Sequence, residues 1–245
     1  MFVQALISCF RDPSDAPQRL SQTQGTIRPN QGVQRSGRTT LGAKDDVAFG
    51  KKPMNICVFT GSSFGRREDY RLAAAKLGAE LAGRGIGLVY GGASVGLMGV
   101  VADAALEAGG SVIGIMPKAI QDLEVAHPGL TELRIVSSMQ ERKAAMADLS
   151  DAFIVLPGGI GTLEEAFEVW SWSLLGIHAK PIGLLNVAGF FDGLESFLDH
   201  VVAEAFVKQV HRETLLSDSD PASLIDRLLA FEMPNVPKWI PLSQR

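Results

Sequence analysis

The sequence has little that would mark a secreted, metal-binding or membrane-spanning protein. Its 245 residues include two cysteines, Cys9 and Cys57, in no metal or redox spacing, which fits a reducing compartment. No apolar run approaches the roughly 20 residues needed to span a bilayer. The apolar opening MFVQALISCF lacks a basic n-region and an evident small-residue cleavage site. We therefore expect a cytoplasmic protein with no membrane partner.

Strong charge and metal-type histidine spacing are also missing. The net charge of −4 gives no reason to expect a general affinity for nucleic acid. None of the histidines occurs in an arrangement such as HExxH, so we expect neither a metal nor another cofactor. These histidines are His127, His178, His200 and His211.

The composition divides the chain into three parts. Residues 1–52 are mostly rich in Gln, Ser, Arg, Gly and Pro and show no sustained periodicity. Such a segment cannot bury enough apolar surface to offset its ordering entropy, so we expect a flexible N-terminal extension. We expect one domain over 53–235 and a C-terminal tail, which is interrupted by two prolines, over 236–245.

Short apolar runs alternate with helical patterns through the expected domain. Several runs are apolar on both sides, which is typical of strands covered by helices on both faces. Alternation of this kind predicts βαβ units and an α/β fold: a Rossmann-like, doubly wound parallel sheet with helices on both faces. The expected strands are 55–60, 87–91, 111–116, 133–136, 152–156 and 181–186. Four expected helices lie between them, in the segments EDYRLAAAKLGAELAGRG, GLMGVVADAALEAGG, MQERKAAMADLS and TLEEAFEVWSWSLLG, and two more follow the last strand.

Three of the predicted strand-to-helix turns are rich in glycine: TGSSFG, YGGASVGLMG and LPGGIGT. Glycine lets an anion approach backbone amides, and the following helix presents the positive end of its dipole, so these turns suit a phosphate. Leu97 and Met98 occupy the positions of the P-loop lysine and hydroxyl, which argues against a triphosphate with Mg²⁺. A monophosphate is the most economical ligand. The alternative is that the glycines serve only tight turns and close packing.

Charged residues occur close to these turns. Thr162 is a plausible N-cap, which would put Glu164 and Glu165 in the first turn of a helix, where negative charge suits the helix dipole. Adjacent helical residues point about 100° apart, so one acid can face a cleft while the other faces solvent or a basic group. Arg142 and Lys143 open another helix at the same edge of the sheet, where an arginine can bind phosphate.

The segments GGASVGLMG, SMQERKAAM and PGGIGTLEE, in this order, resemble the signature segments of the LOG (Lonely Guy) family. The resemblance covers about 55–229. It implies a Rossmann-like homodimer that hydrolyses the N-glycosidic bond of an adenine-type nucleoside 5′-monophosphate, giving the free base and ribose 5-phosphate. Members of this family are often mislabelled lysine decarboxylases. That reaction needs a pyridoxal-phosphate lysine with supporting groups, which the sequence does not show.

The resemblance also implies site residues. Arg142 and Glu165 would be the catalytic pair. Gln140 stands where a histidine is common, and Ala93 and Thr60 also depart from the family pattern, although none of these changes removes a chemically necessary group. The substrate-binding residues would be Gly91, Gly92, Glu124, Lys143, Gly158, Gly159, Ile160, Gly161, Thr162 and Glu164.

A second interpretation stays open at this point. Related Rossmann-like folds bind nucleotides or molybdenum cofactor without catalysis, and three glycine turns fit such a module equally well. The combination of Arg142 and Glu165 favours the enzyme, because a pure phosphate binder gains little from an acid beside the anion. The motifs do not distinguish AMP from an N6-prenylated adenine nucleotide.

Overall fold

The computed structural model describes residues 54–121 and 126–234. The expected extension over 1–52 and the tail over 236–245 lie outside the described residues, and so does Glu124. No helix in the described ranges is both long and apolar enough to cross a membrane.

The described chain alternates strands and helices, as predicted. The strands are β1 (Asn55–Phe59), β2 (Gly87–Tyr90), β3 (Val112–Pro117), β4 (Glu132–Val136), β5 (Ala152–Val155), β6 (Ile182–Leu185) and β7 (Leu215–Asp218). The helices are α1 (Glu68–Gly83), α2 (Gly96–Glu107), α3 (Lys118–Gln121), α4 (Met139–Leu149), α5 (Ile160–Leu174), α6 (Asp192–Ala203), α7 (Gln209–Arg212) and α8 (Pro221–Ala230), with a 3₁₀ turn at Val187–Gly189.

All seven strands form one parallel sheet in the order β4-β3-β2-β1-β5-β6-β7. Successive strand residues point to opposite faces, so Ile56 and Val58 of β1 enter one hydrophobic cluster while Cys57 and Phe59 enter the other. The first cluster contains residues of α1, α2 and α8, and the second contains residues of α4, α5 and α6. Helices therefore cover both faces, which confirms the predicted fold class.

Three short elements differ from the predicted pattern. The seventh strand, Leu215–Asp218, has only two apolar residues and lies at the edge of the sheet, so its sequence carries a weak strand signal. Helices α3 and α7 have four residues each and are too short to show a helical period. All three lie away from the middle of the sheet.

The strand order reverses at β1, which lies between β2 and β5. The chain moves outward from β1 through β2 to β4, and then returns to the other side of β1 to start β5. The turns that leave the carboxyl ends of β1 and β5 run to opposite faces and leave a crevice between them. Ligands of open parallel sheets bind at such a switch point.

Candidate active site

A cavity of about 520 Å³ occupies this switch point. It is lined chiefly by the turn after β1 and the turn after β5, which contact each other directly. The amide of Gly61 donates to the carbonyl of Pro157 at 3.2 Å, and the hydroxyl of Thr60 donates to the same oxygen at 3.3 Å. The two glycine turns therefore form one continuous wall.

The turn after β5 brings the start of α5 to the cavity. The helix begins at Ile160 with Gly159 as its N-cap, and no side chain caps it. The first amides of an α-helix have no partner within the helix, and they carry the positive end of its dipole. Gly158, Gly159, Ile160 and Gly161 all line the cavity. This end of the helix suits an anion.

The predicted cap at Thr162 is wrong. Helix α5 starts three residues earlier, so Thr162 lies inside the first turn, with its side chain buried. Glu164 and Glu165 consequently fall beyond the first turn, which contains no acid. The helix dipole therefore does not explain why acids occupy these two positions. The groups around each carboxylate must explain it.

The two acids point in different directions, as the helical geometry predicts. Glu164 is exposed, and its carboxylate accepts a hydrogen bond from Lys143 at 2.7 Å. Glu165 is partly buried and lines the cavity. Burial raises the pKa of Glu165 to about 7, although the nearby charge of Arg142 lowers it. The carboxyl group thus gains and loses its proton near neutral pH.

Helix α4 carries the opposing charge. Its N-cap, Ser138, accepts a hydrogen bond from the amide of Glu141 at 3.1 Å, and this cap fixes the start of the helix. One turn on, the buried Arg142 donates from Nε to the carbonyl of Ile115 at 3.1 Å and from Nη2 to the carbonyl of Gly91 at 3.3 Å. These bonds hold the guanidinium at the carboxyl ends of β2 and β3, where it lines the cavity.

The turn after β2 packs against the guanidinium of Arg142. A Cβ at Gly91 would lie 2.1 Å from Nη2 of Arg142, so only glycine leaves room for the guanidinium. Gly92 faces Leu133 and Gly114. Gly96 has a φ of +58°, and a Cβ there would lie 2.2 Å from the backbone of Ser62. In this turn the glycines serve close packing, and Leu97 and Met98 reach the cavity instead.

Most of the predicted site residues meet at the cavity. Gly91 and Gly92 lie behind its wall, and Lys143 lies beside it, bound to acids of α5. Glu124 lies outside the described residues. The predicted residues that line the cavity are Arg142, Gly158, Gly159, Ile160, Gly161, Thr162, Glu164 and Glu165.

Several lining residues were not predicted. Ser62 and Ser63 belong to the TGSSFG turn, which was singled out for its glycines alone. Phe190 follows β6 and contacts Tyr70 edge to face, with ring centroids 5.7 Å apart. No motif joins these positions in the sequence. Within the described ranges, no group of three or more His, Cys, Asp or Glu residues could hold a metal ion.

The fold places the protein in a known structural class. The molybdenum cofactor carrier protein of Chlamydomonas reinhardtii matches it with a TM-score of 0.58 and 23% identity, over 74% of this chain and 100% of that one. The molybdenum cofactor binding protein of Rippkaea orientalis matches with a TM-score of 0.56 and 22% identity, over 74% and 98%. At this identity the similarity shows the fold alone, which is Rossmann-like.

Closer relatives identify the family. Residues 98–228 match the family model described as "Possible lysine decarboxylase". The cytokinin riboside 5′-monophosphate phosphoribohydrolase LOG of Oryza sativa subsp. japonica is 51% identical over 173 residues, which are 71% of this chain and 72% of that protein. The phosphoribohydrolase LOG3 of Arabidopsis thaliana is 50% identical over 173 residues, 71% and 80% of the two chains. The chain belongs to the LOG family, as its motifs predicted.

Proposed function

We propose that this protein is an N-glycosyl hydrolase that cleaves adenine-type nucleoside 5′-monophosphates to the free base and ribose 5-phosphate. One observation carries the proposal: Arg142, Glu165 and the uncapped start of α5 line the same cavity. A phosphate site, a carboxylate and a guanidinium are the groups that this hydrolysis needs. The relatives at about 50% identity, which are named for this activity, support it.

The chemistry follows from the bond that breaks. Cleavage of C1′–N9 leaves positive charge on the ribose and an electron pair on the base, which takes up a proton. Water adds to C1′ and loses a proton. The Glu165 carboxylate stabilises the developing cation and activates the water, as carboxylates do in glycoside hydrolysis.

The phosphate site positions the substrate in the cavity. Amides at the start of α5, with Gly158, Gly159 and Gly161, hold the 5′-phosphate and so fix the ribose against Glu165. Arg142 is held to the sheet by two backbone carbonyls and keeps further N–H groups for the substrate or the departing base. The binding energy of the phosphate, which does not itself react, serves to orient the ribose.

The first test is base release, followed by chromatography, from AMP and from isopentenyladenosine 5′-monophosphate, with adenosine as the phosphate-free control. We expect release from the monophosphates and none from adenosine. The ratio of the two rates assigns the base preference. Tight nucleotide binding without any release would contradict the proposal and favour a non-catalytic binding module.

A variant tests the role of Glu165. Glu165→Gln keeps the size of the side chain and removes the carboxylate, so we expect base release to fall by at least about 1,000-fold, since the acid acts on the reacting atoms. Nucleotide affinity, measured by calorimetry, should change by less than about threefold. Turnover near that of the wild-type protein would reject the assignment of Glu165.

We also propose that the protein is a homodimer in the cytoplasm, without a nucleic-acid or membrane partner. Large apolar side chains exposed on the described surface, among them Ile177, Phe197 and Phe206, suit an interface between two copies. Light scattering on the purified full chain measures the dimer directly. A monomer at micromolar concentration would contradict it.

A further inference from the structure

Lys143 lies between two carboxylates of α5. Its Nζ is 2.7 Å from Oε1 of Glu164 and 2.8 Å from Oε2 of Glu168. The lysine side chain is 13% exposed, that of Glu168 is 26% exposed and that of Glu164 is 53% exposed. The contact with Glu164 is a hydrogen bond, whereas the contact with the less exposed Glu168 is an ion pair whose Oε2 lacks hydrogen-bond geometry.

The arrangement follows from helix geometry. Glu164 and Glu168 are four residues apart and share one face of α5, whereas Glu165 is turned about 100° away from Glu164. On α4, Arg142 and Lys143 are related by the same angle. Arg142 and Glu165 therefore face the cavity, Lys143 faces the contact between the helices, and the exposed Glu164 borders both.

The ammonium group of Lys143 is paired with these two carboxylates. Burial lowers the pKa of Lys143, but the two carboxylates outweigh that effect and raise it overall, so the side chain is charged. It does not line the cavity, whereas Arg142, Glu164 and Glu165 do. The contact joins α4, which follows β4, to α5, which follows β5.

We propose that Lys143 is a positioning residue: anchored by both Glu164 and Glu168, it fixes the rotation of α5 against α4 and so sets Glu165 opposite Arg142. This inference rests on the proposed hydrolysis. In that reaction Lys143 would place the helices and would not contact the substrate. The inference also gives a role to Glu168, which no motif marked.

The ion pair has an electrostatic consequence for Glu165. The charged and titratable groups around that carboxyl are Arg142 and Lys143 on α4, Glu164 and Glu168 on α5, and Cys57 on β1. Loss of the positive charge of Lys143 should make Glu165 harder to ionise. Loss of the negative charge of Glu168 should make ionisation easier. A purely structural contact would not produce shifts of opposite sign.

The experiment compares base release by the full chain carrying Lys143→Met, Lys143→Arg, Glu168→Gln or both Lys143→Met and Glu168→Gln, with AMP and isopentenyladenosine 5′-monophosphate as substrates. We expect Lys143→Met and Glu168→Gln each to lower kcat by about tenfold or more and to change KM by less than about threefold. Lys143→Arg should keep kcat within about threefold of wild type, because a guanidinium can bind both carboxylates.

The pH profile gives the second readout. The midpoint of the acid limb of kcat/KM should move to higher pH in Lys143→Met and to lower pH in Glu168→Gln, and it should return towards the wild-type value in the double variant. The matched control is Glu80→Gln, which removes a carboxylate that is 31% exposed and paired with Arg84 at 2.7 Å near the end of α1. Its kinetics should equal those of wild type.

Each contrary result has a distinct meaning. A rise of tenfold or more in KM for Lys143→Met, with kcat unchanged, would show that the lysine binds substrate and would overturn the positioning role. Wild-type kinetics and pH profile in Glu168→Gln would overturn the role of Glu168. An inactive wild-type protein would instead reject the proposed hydrolysis, and the positioning role with it.

Discussion

Glu165 is surrounded by groups of both charges in a partly buried position, and burial raises its pKa to about 7. The raised pKa means that the carboxyl is neutral below about pH 7 and ionised above it. Because the proposed chemistry uses the ionised form, kcat/KM should rise with pH and level off above the midpoint near 7. Bound phosphate adds negative charge and should move the midpoint of kcat higher still.

Steady-state rates between about pH 5 and 9 measure this dependence. The second ionisation of the substrate phosphate, near pH 6, is identified by titration of the free nucleotide and separated from the enzyme midpoint. Activity that is already constant at pH 5, or that falls as pH rises through 7, would contradict the role of Glu165 as the ionised group.

Gly91 tests how closely the guanidinium of Arg142 is held. In Gly91→Ala the new Cβ would lie 2.1 Å from Nη2, so the guanidinium must leave its position between the carbonyls of Gly91 and Ile115. We expect kcat/KM to fall by about 100-fold, which is the usual cost of misplacing a catalytic group by about 1 Å.

Thermal unfolding and base release are measured together for this variant. Overpacking at Gly91 should cost about 1–3 kcal/mol of the free energy of unfolding, which leaves the protein folded at room temperature. Gly83→Ala is the control, because its Cβ would meet nothing within 4 Å. Full activity in Gly91→Ala would show that the position of Arg142 is not critical.

At the scale of elements, helix α6 ends in a Schellman motif whose left-handed position holds an alanine, Ala205, where glycine is usual. The amide of Phe206 donates to the carbonyl of Val201 at 3.1 Å, and the amide of Ala205 donates to that of Val202 at 2.8 Å. Ala205 adopts a φ of +62°, which costs a residue with a Cβ roughly 1–2 kcal/mol. Ala205→Gly should therefore stabilise the protein by about 0.5–1 kcal/mol, after the entropy of the unfolded chain is counted.

Urea unfolding measures this change at constant pH. The neighbouring variant Ala203→Gly provides the opposite expectation, because Ala203 is the last residue of α6 and glycine there lowers helix stability by about 0.5–1 kcal/mol. The two glycine substitutions, two residues apart, should shift the urea midpoint in opposite directions. Shifts of the same sign would contradict the assignment of the cap.

The elements differ in how far the sequence predicts them. Strands such as β1 and β5 are short runs that are apolar on both faces, and the helices between them are long enough to show their period. The start of α5 was placed three residues too late, because Thr162 is a good cap and Gly159 is a poorer one. β7 carries too few apolar residues to stand out.

The candidate site was predictable where its parts are neighbours in sequence. Gly158, Gly159, Gly161 and Glu165 lie in one motif, which covers the turn after β5 and the start of α5. The packing of Gly91 against Arg142 joins residues 51 positions apart, and no local pattern reports it. The raised pKa of Glu165 depends on burial, which only the packed structure defines. Long-range contacts therefore account for what the sequence did not show.

At the scale of the whole molecule, the cavity wall joins turns that are far apart in the chain. The hydrogen bond from Thr60 to Pro157 spans 97 residues, and the lining extends to Phe190. Such a closure is costly in chain entropy, so it is expected late in folding. After dilution from urea, base release should return with the slowest phase of refolding and not with the early formation of helices.

Stopped-flow circular dichroism and timed activity assays compare the two rates. Recovery of activity before the slowest phase would contradict this order.

The topological reversal at β1 has a consequence for synthesis as well. A ribosome must release the chain well beyond β5 before this cavity can form, so products that stop before α5 cannot act on nucleotides in the cell.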